Sequence, residues 1–163
     1  MTDSESASEG AAADPGAADP PTNRMVIAIL SLIGLFVALY LWAHNEGLTG
    51  PIVCGVSDCA TVQSSEYAMI GPVPVPAIGV VGYLALMSLS FTGIQPNYRT
   101  SRVIGGLMLV GATGGVLFSG YLTYLEAAVI GAWCQYCIGS AIIITLILVA
   151  TLPEVARLRW DRS

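Results

Sequence analysis

Hydrophobic residues in this chain come in long blocks, not at alternating intervals. Four blocks contain no charged residue: residues 25–43, 77–92, 103–125 and 132–152. A helix rises about 1.5 Å per residue, so about 20 apolar residues cross the hydrocarbon layer of a bilayer. Three blocks reach that length or nearly so. The block at 77–92 is slightly short and is expected to extend back towards Val75. A helix in lipid satisfies its own backbone hydrogen bonds, so the expected fold is all-α, an integral membrane four-helix bundle.

The polar stretches divide the rest. Residues 1–23 are rich in Ala, Ser, Asp, Pro and Gly and hold too few apolar side chains to build a core, which predicts a disordered acidic tail. No basic segment precedes the first apolar block, so it does not read as a secretory signal. Residues 24–153 form the expected membrane domain, and residues 154–163 a basic tail. The longest connection, 44–76, contains ATVQSSEYAM at 60–69. Its pattern turns Val62, Tyr67, Ala68 and Met69 towards the membrane and Gln63, Ser64 and Glu66 towards water, as a short interfacial helix across the bundle mouth would. The following GPVPVP cannot prolong that helix, because each proline lacks an amide donor, and it predicts a stiff return into the second span.

Composition agrees with a membrane domain: 55% of residues are hydrophobic and 10% charged, against about 25% charged in soluble domains. The formal charge of -5 mostly reflects Asp3, Glu5, Glu9, Asp14 and Asp19 in the first tail. The chain has no Lys and no basic cluster, which argues against nucleic-acid binding. The six Arg residues orient the bundle. Arg24 precedes the first span, Arg99 and Arg102 lie between the second and third, and Arg157, Arg159 and Arg162 follow the fourth. An even number of spans puts these three places on one side, and the positive-inside rule makes that side cytoplasmic. The expected location is therefore the cell membrane, multi-pass, with both termini cytoplasmic. Loop 44–76 and the short turn at 126–132 fall outside the cytoplasm. In the third span, Gly111 and Gly115 make a small-xxx-small pair that suits a dimer face or, the preferred reading, close packing within the bundle.

All four cysteines fall on the extracytoplasmic side. Cys54 and Cys59 lie in the long loop, and Cys134 and Cys137 open the fourth span. Disulfides persist in oxidising compartments, so disulfide chemistry is the first expectation. In CQYC the two sulfurs share one helix face, one turn apart. The helix N-terminus there favours a thiolate, which is both nucleophile and leaving group. Trp133 and Tyr136 suit interfacial aromatics, or could flank a flat apolar ligand. CGVSDC lies in an exposed loop, where labile disulfides occur. A mixed disulfide can connect the two pairs, and the inner pair then needs an acceptor, for which a lipid-soluble quinone is the natural candidate. His44, the single histidine, reads as an interface residue. The competing readings are disulfides that only staple loops and a four-cysteine zinc site. Zinc is disfavoured by the C-x4-C spacing and the external membrane face, and a staple within one helical turn constrains almost nothing.

Together these motifs resemble the vitamin K epoxide reductase family in its prokaryotic form. The resemblance rests on Cys54 and Cys59, Ser65 six residues later, Glu66-Tyr67-Ala68, Gly71 with its prolines, Gly79 and Tyr83, and Cys134-Gln135-Tyr136-Cys137. It covers the chain from about Arg24 to Leu152. It implies a quinone-linked disulfide oxidoreductase that supports extracytoplasmic disulfide formation. By position, Cys54 would exchange with a partner protein, Cys59 with Cys134, and Cys137 would stand next to the quinone ring. Ser65 would lie at the loop–quinone boundary, hydrogen-bonding a ring oxygen. The implied acceptor is of menaquinone or ubiquinone type, and no metal is expected. Many bacterial relatives continue into a fused thioredoxin-like domain. This chain stops at Ser163, so the expected partner is a separate thioredoxin-fold protein of the DsbA type. Vertebrate members carry tyrosine where this chain has Ala141, and their loop spacing is longer. Epoxide reduction and the vertebrate inhibitor site are therefore not carried over.

Overall fold

A computed structural model of the chain describes residues 22–55, 57–98 and 101–160. The tail expected over 1–23 lies outside them as far as residue 21, as do Arg99 and Arg162. Four long helices carry the fold: α1 (Thr22–Asn45), α3 (Val75–Ile94), α4 (Arg102–Leu125) and α5 (Gln135–Trp160). A five-residue helix, α2 (Cys59–Gln63), lies in the long loop. The four long helices, the last as far as Pro153, are apolar and long enough to cross a membrane, and they pack as the expected bundle. α1 lies against α3 and α5, and α4 against α5 and α3.

The core runs along the bundle axis through Ile27, Leu35, Met108, Ala112 and Ile147. Phe36, Val81, Val103, Leu117 and Val149 stay exposed on the outside of the helices. Apolar side chains outside the bundle are what lipid-facing positions require. Small residues decide how closely the helices approach. A Cβ on Gly115 would fall 2.7 Å from the Ile144 side chain of α5, and one on Gly111 would fall 3.3 Å from Leu86 of α3. The glycine pair therefore packs inside this bundle. At the end of the bundle away from the cysteines, Arg24 is buried and donates to the Gly93 carbonyl, tying α1 to α3.

The second and third spans begin close to where hydropathy put them. The fourth differs: its helix starts at Gln135, not 132, and residues 132–134 lie outside any helix. The interfacial segment also differs from a single 60–69 helix. α2 ends at Gln63, a 3-10 turn covers Glu66–Ala68, and Met69–Ile70 pairs antiparallel with Val73–Pro74 around Gly71 at φ 61°. Positive φ is easy for glycine, which permits that tight return. Pro76 sits in the first turn of α3, where a missing N–H is harmless.

Candidate active site

The four cysteines collect at one end of the bundle because two short segments are locked together there. The first is the start of α2. Asp58 caps it, its carboxylate accepting the Thr61 amide at 3.2 Å and the Thr61 hydroxyl at 2.7 Å. These bonds hold the Asp58 carboxyl below the usual carboxylate range. The cap sets Cys59 as the first helical residue, fully buried, and Cys59 is disulfide-bonded to Cys54 with a Cα–Cα distance of 6.2 Å. Cys54 is only half-buried and sits between exposed Val53 and Gly55.

The second segment is the end of α4. There the helix widens into a π turn over Glu126–Ile130 and stops at Gly131, in the left-handed conformation at φ 69°. Residues 132–134 then cross to α5, where the Cys134 carbonyl accepts the Ile138 amide at 3.0 Å and so caps the helix. Three long-range bonds hold the loop onto this start of α5. The Asp58 amide donates to the Trp133 carbonyl at 3.1 Å, the Gly55 amide to Gln135 Oε1 at 3.4 Å, and the Tyr136 hydroxyl to the Val53 carbonyl at 2.9 Å. The Tyr136 ring also packs on Tyr40, with centroids 5.2 Å apart. As a result Cys59 and Cys134 are both fully buried in one small cluster with Val62, and Cys54 and Cys137 pack at its edge.

Cys137 opens on the other side, onto a cavity of about 560 Å³ between the helices. The cavity runs from Gln63 and Ser65 in the loop, past Tyr83, to Leu107 and Val110 on α4. Gln63 is half-buried, and its Nε2 donates to the Cys137 sulfur at 3.9 Å. That corrects the amphipathic assignment. α2 lies so that Val62 packs on the cysteine cluster while Gln63 reaches the cavity. The Tyr83 hydroxyl is hydrogen-bonded to the Ser140 carbonyl and hydroxyl at 3.0 and 2.8 Å, one turn beyond Cys137. Ser65 lines the cavity as expected, with its hydroxyl donating to the Val62 carbonyl at 2.7 Å. That proton must turn away from Val62 before it can serve a ring oxygen. Trp133 and Tyr136 do not line the cavity, so neither flanks a ligand there. Tyr136 fastens the loop instead.

The Cys134 thiol lies just ahead of the Gln135–Pro153 span and is held below the ordinary thiol range. The hydrogen bond from the Cys137 side chain is the main cause, opposed by burial and by the charge of Glu126. An apolar cavity with one sulfur on its wall and a few polar side chains at one end suits a flat, mostly apolar ring with polar oxygens. A quinone fits that donor set, with Gln63 and Ser65 at the polar end.

A family model described as Vitamin K epoxide reductase family matches residues 25–152. The chain belongs to the vitamin K epoxide reductase family. As a member it is a membrane disulfide oxidoreductase, of a family associated with quinones and thioredoxin-like partners. The match spans all four helices and both cysteine pairs. The disulfide at Cys54–Cys59 also occupies two of the four sulfurs that a zinc site would need.

Two residues beside the cysteines differ from what the sequence suggests. Gln63, which the amphipathic pattern turns to water, reaches the Cys137 sulfur, and Glu126, which the hydropathy leaves in an external turn, is buried at 3% exposed. A signal for Glu126 was present: it is an ionisable residue at the edge of an apolar block with no Arg or Lys nearby in sequence, and such residues are functional candidates by default.

Proposed function

We propose that this protein oxidises a separate thioredoxin-fold partner outside the cytoplasm and passes the electrons through Cys54/Cys59 and Cys134/Cys137 to a quinone in the membrane. The observation that carries this reading is the shared burial of Cys59 and Cys134 in one cluster, with Cys54 on the exposed side and Cys137 on the cavity side. The arginine pattern supports placing this end of the bundle outside and both termini in the cytoplasm.

In this route a partner thiolate attacks Cys54, the more accessible sulfur of the loop disulfide. Cys59 leaves as a thiolate and, once the partner is released, attacks Cys134. The inner disulfide opens and Cys137 takes the electron pair. Cys54 then closes on Cys59, leaving an oxidised loop above a reduced inner pair. A bound quinone supplies a two-electron, two-proton acceptor. Gln63 and Ser65 would orient it and the apolar walls would keep water away from the sulfurs.

The test is anaerobic turnover of purified protein with a reduced DsbA-like partner and a short-chain quinone, followed by quinone absorbance. Each single cysteine variant should lose turnover. Normal turnover by Cys137→Ala would overturn the route, and a loop disulfide inert to the partner would point to staples.

A further inference from the structure

The proposed route leaves one buried ionisable side chain without a task. Glu126 stands where α4 gives way to the π turn and is 3% exposed. Its Oε2 accepts the amide of Cys134, three residues before Cys137, at 3.1 Å. It lines the same cavity as Cys137. A carboxyl taken out of water needs a cation, hydrogen bonds or a proton. Among the described residues no Lys, Arg or His lines this cavity. Cys134, just before α5, donates its amide to Glu126, and Cys137 in the first turn of α5 shares the cavity wall with it. Tyr67 from the loop and Tyr83 from α3 are the other titratable groups on the wall, and α1 adds none.

From this geometry we infer that Glu126 is a catalytic acid–base group that carries the proton of Cys137. The inference rests on the reading of Cys134–Cys137 as the inner redox couple. When the Cys59 thiolate attacks Cys134, the Cys59–Cys134 bond forms and the Cys134–Cys137 bond breaks. The electron pair goes to the Cys137 sulfur, which takes the proton of Glu126. On reoxidation the carboxylate takes the proton back, the Cys134–Cys137 bond re-forms, and two electrons leave to an acceptor of the quinone class. Over a full cycle two electrons pass from the partner dithiol through the pair to the acceptor; the Glu126 proton is lent to Cys137 and returned, and the two protons the acceptor takes up balance the two released by the partner's thiols. Gly131 and the π turn serve this role by bringing the end of α4 back under Cys134.

The test uses the full chain in detergent with no quinone present. Protein oxidised with diamide is reduced with dithiothreitol and followed by infrared difference spectroscopy. A protonated-carboxyl band present in the oxidised protein should disappear on reduction, and Glu126→Gln should lack it. In parallel, quenched alkylation measures the rate at which the Cys134–Cys137 disulfide opens. Glu126→Gln keeps an oxygen for the Cys134 amide and should slow opening about 100-fold, the lower end of general acid–base effects. Glu126→Asp should recover part of the rate. A wild-type carboxyl band unchanged by reduction overturns the inference, and so does a Glu126→Gln rate equal to wild type. Should the Gln variant not fold, the wild-type spectrum decides alone. A pair that does not cycle with dithiothreitol overturns the inference and the proposed route together. A pair that cycles with a silent carboxyl overturns the inference only.

Discussion

Replacing Gly34 with alanine asks whether a close helix crossing sets the cavity wall. A Cβ at residue 34 would fall 2.4 Å from two carbons of the Tyr83 ring, far inside the roughly 3.5–4.0 Å of a good carbon contact. Tyr83 is 5% exposed and bonded to Ser140, so the whole ring must shift and its hydrogen bonds must stretch or break. Overpacking costs about 1–3 kcal/mol, and the lost hydrogen bond adds about 0.5–1.5 kcal/mol. Alanine's better helix propensity offsets about 1 kcal/mol. The net expectation is a loss of about 1–3 kcal/mol. At roughly 2–4 °C per kcal/mol for a chain of this size, the unfolding midpoint should fall by roughly 2–12 °C. Thermal unfolding in detergent, followed by circular dichroism, measures it. Gly106→Ala is the control, because its Cβ meets nothing within 4 Å, and its midpoint should hold or rise. A Gly34→Ala midpoint at or above wild type would refute the argument that this crossing is tight.

Two further outcomes follow from the site. The hydrogen bond from Cys137 lowers the pKa of Cys134, so the Cys134 thiolate forms at lower pH than an ordinary thiolate. Labelling of Cys134 by iodoacetamide in reduced protein should therefore begin at lower pH in wild type than in Cys137→Ala, and superimposed profiles would contradict this. Tyr136→Phe removes the bond to the Val53 carbonyl, worth about 0.5–1.5 kcal/mol. Dithiothreitol should then reduce the loosened Cys54–Cys59 disulfide roughly 2- to 10-fold faster, and an unchanged rate would show that the loop is held elsewhere.

The spans were legible because lipid removes the alternatives. A segment such as 103–125, uncharged throughout, has no way to satisfy its backbone in a bilayer except as a helix. The end of the bundle that gathers the cysteines was legible for the same reason, since the even number of spans settles it. The inner arrangement was harder. Gly55 meets Gln135 and Val53 meets Tyr136 across 80 or more residues of sequence, and no local pattern encodes such pairs. Hydropathy also reads Gln63 and Glu126 as polar and therefore wet. It cannot register that α2 is clamped by Asp58 onto Trp133, or that a π turn with Gly131 folds the end of α4 inwards. Both residues reach the Cys137 side of the site because of backbone geometry, not because of their neighbours in sequence.

The order of the sulfurs is the central claim, and pairwise trapping tests it most directly. A Cys54→Ser/Cys137→Ser variant leaves Cys59 and Cys134, the two sulfurs buried in one cluster. A Cys59→Ser/Cys134→Ser variant leaves Cys54 and Cys137. After mild oxidation, peptide mass spectrometry should find an intramolecular Cys59–Cys134 disulfide in the first variant and two free thiols in the second. A disulfide that forms as readily between Cys54 and Cys137, or none between Cys59 and Cys134, would contradict the route.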